Sequence, residues 1–305
     1  MATLAKRRLG RTNLEVTELG FGGVGVGGLY GGDVTDRNAV ETVEAVLESG
    51  INFLDTSPFY AESERRLGLA LAGVPRESYF LSSKTGTHPA RSQDYTRDGT
   101  LWTVENTLKL LKTDRLDLLL VHDPEELEPA LAPGGALETL EDLRRQGVIS
   151  YLGLGQRRHD FHRQAIDTGR FDVILTYNDY HITRTTAYTD GLLQHAEEKG
   201  VGVLNGSPMG HGLLAGADPR TLKTHHQTER DTRMAARLYD WCVERKINQR
   251  AVVLQSCLRQ NLIHCTLTGA KTPAELRENL EAIEEPLPED VWRELAELKL
   301  TEGQI

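Results

Sequence analysis

Short apolar runs alternate along this chain with longer segments whose apolar residues recur at helical spacing. Ile51-Asn52-Phe53-Leu54-Asp55, bounded by Gly50 and Pro58, reads as a buried strand. Ahead of it, Val40, Val43, Val46 and Leu47 fall on one helical face, with Thr35 or Asp36 placed to cap that helix. Behind it, 62–72 reads as a helix stopped by Gly73 and Pro75. The alternation continues as strand 79–84, helix 98–111, strand 116–121, helix 136–146, strand 149–154 and helix 160–168. It then runs through strand 173–176, helix 186–199 and strand 201–204. After a longer loop come helices 231–246 and 251–258, a strand near 265–267 and a helix over 273–283.

Continuously apolar strands separated by amphipathic helices signify a parallel sheet covered by helices. With a first strand in 19–24 there are about eight strand–helix units, which predicts an α/β fold, the (β/α)8 TIM barrel. Such barrels take about 250 residues, so 305 residues leave a surplus. It falls in an N-terminal segment (7–16, with Gly10 and Asn13 as turn formers), in the 85–97 and 205–230 loops, and in a C-terminal extra helix near Trp292. No Ser/Gly/Pro-rich linker divides the chain, so 1–305 is expected to be a single domain.

Composition narrows the function classes. Lys plus Arg number 35 against 45 Asp plus Glu, a net charge of −10. That sign argues against a nucleic-acid partner, whose affinity comes largely from neutralised phosphates. Cys242, Cys257 and Cys265 form no CxxC pair, and any pairing leaves one thiol over. Packed thiols in a reducing, cytoplasmic compartment are expected. No apolar core follows the basic start MATLAKRRLG, so no signal peptide is expected, and runs such as 118–121 are far short of a membrane span.

The glycine-rich stretch 20–28 matches GxGxxG twice, with first glycines Gly20 and Gly23. A dinucleotide fingerprint needs a helix opening at those glycines. Here helical period begins only after Thr35, and Asp55 lies farther on than the ribose contact requires. The stretch reads instead as a first strand whose end lets a ligand approach the backbone.

Three strand ends carry polar residues that a core would not choose: Asp55, Lys84 and His122. In a parallel barrel all three project at the C-terminal rim, where catalytic groups collect. Tyr60, in the loop after Asp55, can fold over the same mouth. A tyrosine needs help as acid or base because its ordinary pKa is about 10. A neighbouring ammonium is expected to lower it toward working pH, with Asp55 keeping Lys84 charged and His122 holding the substrate oxygen. His225-His226 and His159-x-x-His162 lack an accompanying strand-end carboxylate cluster, so no metal site is expected.

These residues carry a resemblance. Gly50-Ile51-Asn52-Phe53-Leu54-Asp55-Thr56-Ser57-Pro58-Phe59-Tyr60 resembles the aldo-keto reductase signature, continued by Ser63-Glu64 and Leu67-Gly68. Ser82-Ser83-Lys84 and Asp117-Leu118-Leu119-Leu120-Val121-His122 are similar to the family's other catalytic segments, and 8–17 looks like the hairpin that closes the bottom of these barrels. The resemblance implies Tyr60 as proton donor or acceptor, supported by Asp55, Lys84 and His122, with a nicotinamide dinucleotide across the barrel mouth. Gln156 stands where the carboxamide is held, and Asn205 or Gly206 replaces a stacking aromatic. Ser207, Met209 and Gly212 match the pyrophosphate loop, and Gly269, Lys271, Glu275 and Asn279 the adenosine segment. A carboxylate at Glu275 repels a 2′-phosphate, so NAD is expected over NADP, with Lys271 opposing that preference.

Tyr30, His88, Trp102 and Asp123 are expected walls of the substrate pocket. Within the family the chain looks most like sugar dehydrogenases acting on L-galactose, L-fucose or D-threo-aldoses, which implies NAD-dependent oxidation of an aldose at C1 to the lactone. The alternatives are a pyridoxal or general aldehyde/ketone reductase and a non-catalytic nicotinamide-sensing subunit. The expected partner is a small sugar or aldehyde, and the expected assembly a monomer or weak homo-oligomer.

Overall fold

The computed structural model describes residues 4–31, 33–224 and 227–301. Eight parallel strands close into a barrel: β1 (Leu19–Gly22), β2 (Phe53–Asp55), β3 (Phe80–Thr85), β4 (Leu116–His122), β5 (Ile149–Gly155), β6 (Val173–Tyr177), β7 (Gly202–Gly206) and β8 (Cys265–Thr268). Each strand pairs with its sequence neighbour, and β8 returns to β1 through Thr266–Leu19, Leu267–Gly20 and Thr268–Phe21. No helix among the described residues is long and apolar enough to cross a membrane.

The helices form an outer layer close to the bounds read from the sequence. Thr35 caps Asp36–Glu48 by accepting the Asn38 N–H, and Thr96 caps Arg97–Leu111 in the same way. Besides a short unexpected helix at Glu128–Leu131, two elements differ. The helix expected over 186–199 is broken into Thr186–Thr189 and Leu192–Glu198, because Gly191 between them sits at φ 82. A single helical turn, Val24–Gly27, also opens directly after β1, where no helix was expected. Its glycines hide the apolar period and also permit the packing. A Cβ on Gly25 would lie 2.7 Å from the Ala270 carbonyl oxygen, and one on Gly27 only 2.0 Å from that of Tyr60. Most of the glycine cluster therefore serves close packing rather than ligand approach.

Alternation along each strand sorts its side chains between two cores. Leu54, Leu81, Leu119, Val121, Leu152 and Leu154 face the helices. Phe53, Leu118, Leu120, Val173, Leu175, Leu204, Cys265 and Leu267 fill the barrel interior. By the same two-residue period Asp55 follows Phe53 inward, Lys84 follows Phe80 and Ser82, and His122 follows Leu120. The lower end is plugged by the antiparallel pair Lys6–Arg8 and Glu15–Thr17, whose Leu9, Leu14 and Val16 join the interior core. The three cysteines are free and buried, as the composition predicts.

Candidate active site

At the C-terminal mouth, Lys84 Nζ lies 2.6 Å from Asp55 Oδ2 and donates a second bond to the Thr56 carbonyl at 2.7 Å. The lysine side chain is 0% and the aspartate 3% exposed, so the pair is sealed from water. Burial pushes the Asp55 carboxyl up and the Lys84 ammonium down, while their mutual attraction opposes both shifts. Lys84 Nζ stands 4.8 Å from the centre of the Tyr60 ring. The expected lowering of the Tyr60 pKa is not what this geometry produces. Burial first, then the carboxylates of Asp55 and Asp123, raise the phenol well above 10 and hold it protonated.

His122 meets Tyr60 edge-on, with ring centres 6.0 Å apart. Its Nδ1 is 2.6 Å from Thr87 Oγ1, and its Nε2 is 3.4 Å from Asp123 Oδ2. Burial and the nearby Lys84 charge push its pKa well below 6.5, so the ring is neutral. With Thr87 donating to Nδ1, the single ring proton sits on Nε2, and it makes no hydrogen bond to Asp123 at 3.4 Å. Tyr177 donates to both carboxylate oxygens of Asp123 at 3.2 and 3.3 Å. Tyr30 stands 45% exposed at the rim, edge-on to His211. His88 turns instead to the Ala90 N–H and the Trp102 ring, in a small hairpin whose Arg91 also covers that ring.

Asp55, Lys84, His122 and Tyr60 thus come together from the ends of three adjacent strands and one loop, as the sequence pattern requires. A model of the Aldo/keto reductase family matches residues 18–299. The chain belongs to the aldo/keto reductase family. It is 28% identical to a D-threo-aldose 1-dehydrogenase of Pseudomonas sp, over 94% of this chain and 95% of that protein. It is 30% identical to an L-galactose dehydrogenase of Arabidopsis thaliana, over 93% and 90% respectively. An aldo-keto reductase from Bacillus halodurans in its holo form superimposes with a TM-score of 0.80 at 25% identity, covering 97% of this chain and 96% of that one.

Aldo-keto reductases are oxidoreductases that use nicotinamide cofactors, and three glycines around the mouth are uncrowded. A Cβ on Gly22, Gly212 or Gly269 would meet nothing closer than 3.5 Å. Ser207, Gly210 and Gly212 in the loop after β7 all have positive φ, and Met209 lies between them. Lys271 donates from its backbone N–H to Glu275 Oε2 at 2.8 Å and from Nζ to the Gly31 carbonyl at 3.1 Å. Glu275 is therefore folded back onto the start of its helix, Pro273–Glu284, where it is half-buried.

Three expected contacts are placed differently. The Gln156 amide is already engaged, donating to the Pro124 carbonyl and accepting from the Arg157 N–H, which leaves little of it for a carboxamide. Asn279 is 0% exposed and tied to Thr268, Gly269 and Arg250, so it braces the segment from behind. Asn205 points outward into the helical layer, as the alternation of β7 demands, and only Gly206 reaches the mouth. Sequence reasoning missed Tyr177, Thr87 and Arg250. Tyr177 shares the inward face of β6 with Val173 and Leu175.

The histidine motif does not assemble a metal site. His162 is buried with Nε2 on the Gln156 carbonyl, and His159 lies between Asp179 and Asp190. No group of three or more metal-ligating side chains occurs among the described residues, and His225 and His226 lie outside them.

Proposed function

We propose that this protein is an NAD-dependent sugar dehydrogenase that oxidises an aldose at C1 to the lactone. The observation that carries this reading is the convergence of Tyr60, His122 and the sealed Lys84–Asp55 pair at the barrel mouth. In the reaction the C1–H bond gives up a hydride and the C1 hydroxyl a proton, so two electrons leave the sugar. A bound nicotinamide supplies the electron acceptor. Tyr60 takes the hydroxyl proton only after giving up its own, so oxidation needs the phenolate, which the Lys84 ammonium 4.8 Å from the ring favours and burial opposes. Neutral His122 donates from Nε2 to the reacting oxygen and orients it. Asp55 holds Lys84 charged and in place.

Glu275 supports NAD over NADP, because its carboxylate occupies the helix start where a 2′-phosphate would otherwise be favoured. Ser207, Met209, Gly212, Gly269 and Lys271 line the edge along which the dinucleotide would extend. Gln156 and Asn279 shape that edge from beneath.

The test is a panel of aldoses with NAD⁺ and with NADP⁺, followed by absorbance of the reduced cofactor. Turnover of one or more aldoses with preference for NAD⁺ is expected. Absence of turnover across the panel, with reduction of simple aldehydes instead, would overturn the sugar assignment. A second reading, a carbonyl reductase of the same family, is favoured by one observation. The raised Tyr60 pKa keeps a proton donor ready at neutral pH, which suits reduction.

A further inference from the structure

We propose that Asp123 is the acceptor of substrate hydroxyl groups, and so the residue that makes this enzyme prefer hydroxylated over plain carbonyl substrates. The proposal rests on the oxidoreductase reading above but not on any particular sugar. Asp123 directly follows β4, and its Oδ2 lies 3.4 Å from Nε2 of His122, the atom that faces the reacting oxygen. Its side chain is 34% exposed, so the carboxylate opens onto the mouth rather than into the core. Its backbone is held at φ 39, a conformation that costs energy for a non-glycine residue and collects at functional sites. The backbone is fixed there by the Gln93 side chain, which donates to the Asp123 carbonyl at 3.0 Å.

The carboxylate carries only part of its hydrogen-bonding capacity. Tyr177 approaches both oxygens and His122 Nε2 stands 3.4 Å from one, yet an ionised carboxylate has about four lone-pair sites. A hydroxyl next to the reacting carbon can therefore donate to Asp123 while the reacting oxygen meets His122. On the other flank, Phe59 is 45% exposed and its ring centre is 6.4 Å from that of His122. It offers an apolar face to the C–H side of the same substrate. An acceptor carboxylate opposite an aromatic face suits a polyhydroxylated molecule and has no use for a plain alkyl aldehyde.

The groups facing Asp123 are Lys84 from β3, His122 from β4, Tyr177 from β6, and Tyr30, Tyr60 and Tyr95 from the loops. Only the lysine is cationic, and burial outweighs it, raising the Asp123 carboxyl to about 6. A protonated carboxyl accepts hydroxyl bonds more weakly than a carboxylate.

The decisive measurement is a selectivity ratio, kcat/KM for glyceraldehyde over kcat/KM for propanal, both in the reductive direction. Asp123→Asn keeps the shape and suits the positive φ. It is expected to lower this ratio roughly 10- to 100-fold, the scale of one hydrogen bond to a charged group. In the wild type the ratio is expected to fall as pH drops through about 6, and in the variant it stays flat. A ratio unchanged by the substitution, whether both activities fall or neither does, overturns the proposal. So does a wild-type ratio that is constant from pH 5 to 8. Because the pair is read in reduction, the proposal can fail while aldose oxidation stands, and it can hold if no aldose is oxidised.

Discussion

Asp55→Asn is the substitution whose cost the structure defines best. It removes the charge from one member of a 2.6 Å pair whose side chains are 0% and 3% exposed, and leaves the Lys84 ammonium buried with the Thr56 carbonyl. Breaking a buried pair from one side costs about 3–5 kcal/mol. For a chain of 305 residues this corresponds to a fall in Tm of roughly 5–8 °C. The pH dependence follows from the lysine. Burial already depresses its pKa, and without Asp55 the folded value falls farther below that of the unfolded chain. Between those two values the unfolded state binds more protons, so stability rises with pH. The deficit of the variant relative to wild type should therefore narrow from pH 7 to pH 10. Thermal unfolding followed by circular dichroism across that range reads both effects. Replacing the whole pair, Asp55→Leu with Lys84→Met, should restore most of the lost Tm while activity stays abolished. A single variant as stable as wild type, or a deficit that does not change with pH, would refute the reasoning.

Tyr60→Phe should lower turnover about 10²- to 10⁴-fold while retaining cofactor binding, read by quenching of tryptophan fluorescence; a protein that only senses nicotinamide would keep its output. Glu275→Lys should raise the ratio of kcat/KM for NADP⁺ over NAD⁺ at least tenfold, because it replaces a repulsive charge by an attractive one; an unchanged ratio would place the 2′ position elsewhere. Gly10→Ala should cost roughly 2–4 kcal/mol in urea unfolding. Gly10 sits at φ 54, and its Cβ would lie 2.3 Å from the Gly202 backbone nitrogen, so a mild effect would show that the hairpin plug can shift.

The barrel was legible because its strands are short, wholly apolar runs set between helices with clear caps and stops. The strand ends Asp55, Lys84 and His122 were legible for a physical reason. A polar residue closing a buried strand has to go to the rim. Which way each side chain faces was not legible from the apolar runs, because a strand buried on both faces carries no alternation of polarity. Asn205 and Tyr177 show the consequence. They sit on neighbouring strands near the same rim, yet ring closure sends one into the helical layer and the other to the mouth. The turn Val24–Gly27 was hidden by its own glycines. The protonated state of Tyr60 was missed because a nearby lysine was weighed without the burial that outweighs it.

The interior of the barrel divides its labour by side-chain size. Near the mouth, the inward positions of the adjacent strands β2, β3 and β4 are Asp55, Lys84 and His122, three titratable groups. On β1, β5 and β7 the corresponding positions are Gly22, Gly155 and Gly206. A Cβ on Gly155 would touch His122 at an ordinary 3.5 Å, and one on Gly22 would meet only Leu267 and Thr268, at 3.8 Å and beyond. These glycines are not demanded by strained backbone, since none of the three has positive φ. Gly22 and Gly155 lie in register beside Asp55 and His122 and leave side-chain space there, whereas a Cβ on Gly206 would lie 2.9 Å from the Tyr177 Cβ, so that glycine serves close packing. The glycine signal at the chain's start thus splits in two. Gly25 and Gly27 serve packing, while Gly22 leaves space beside Asp55, its partner in register.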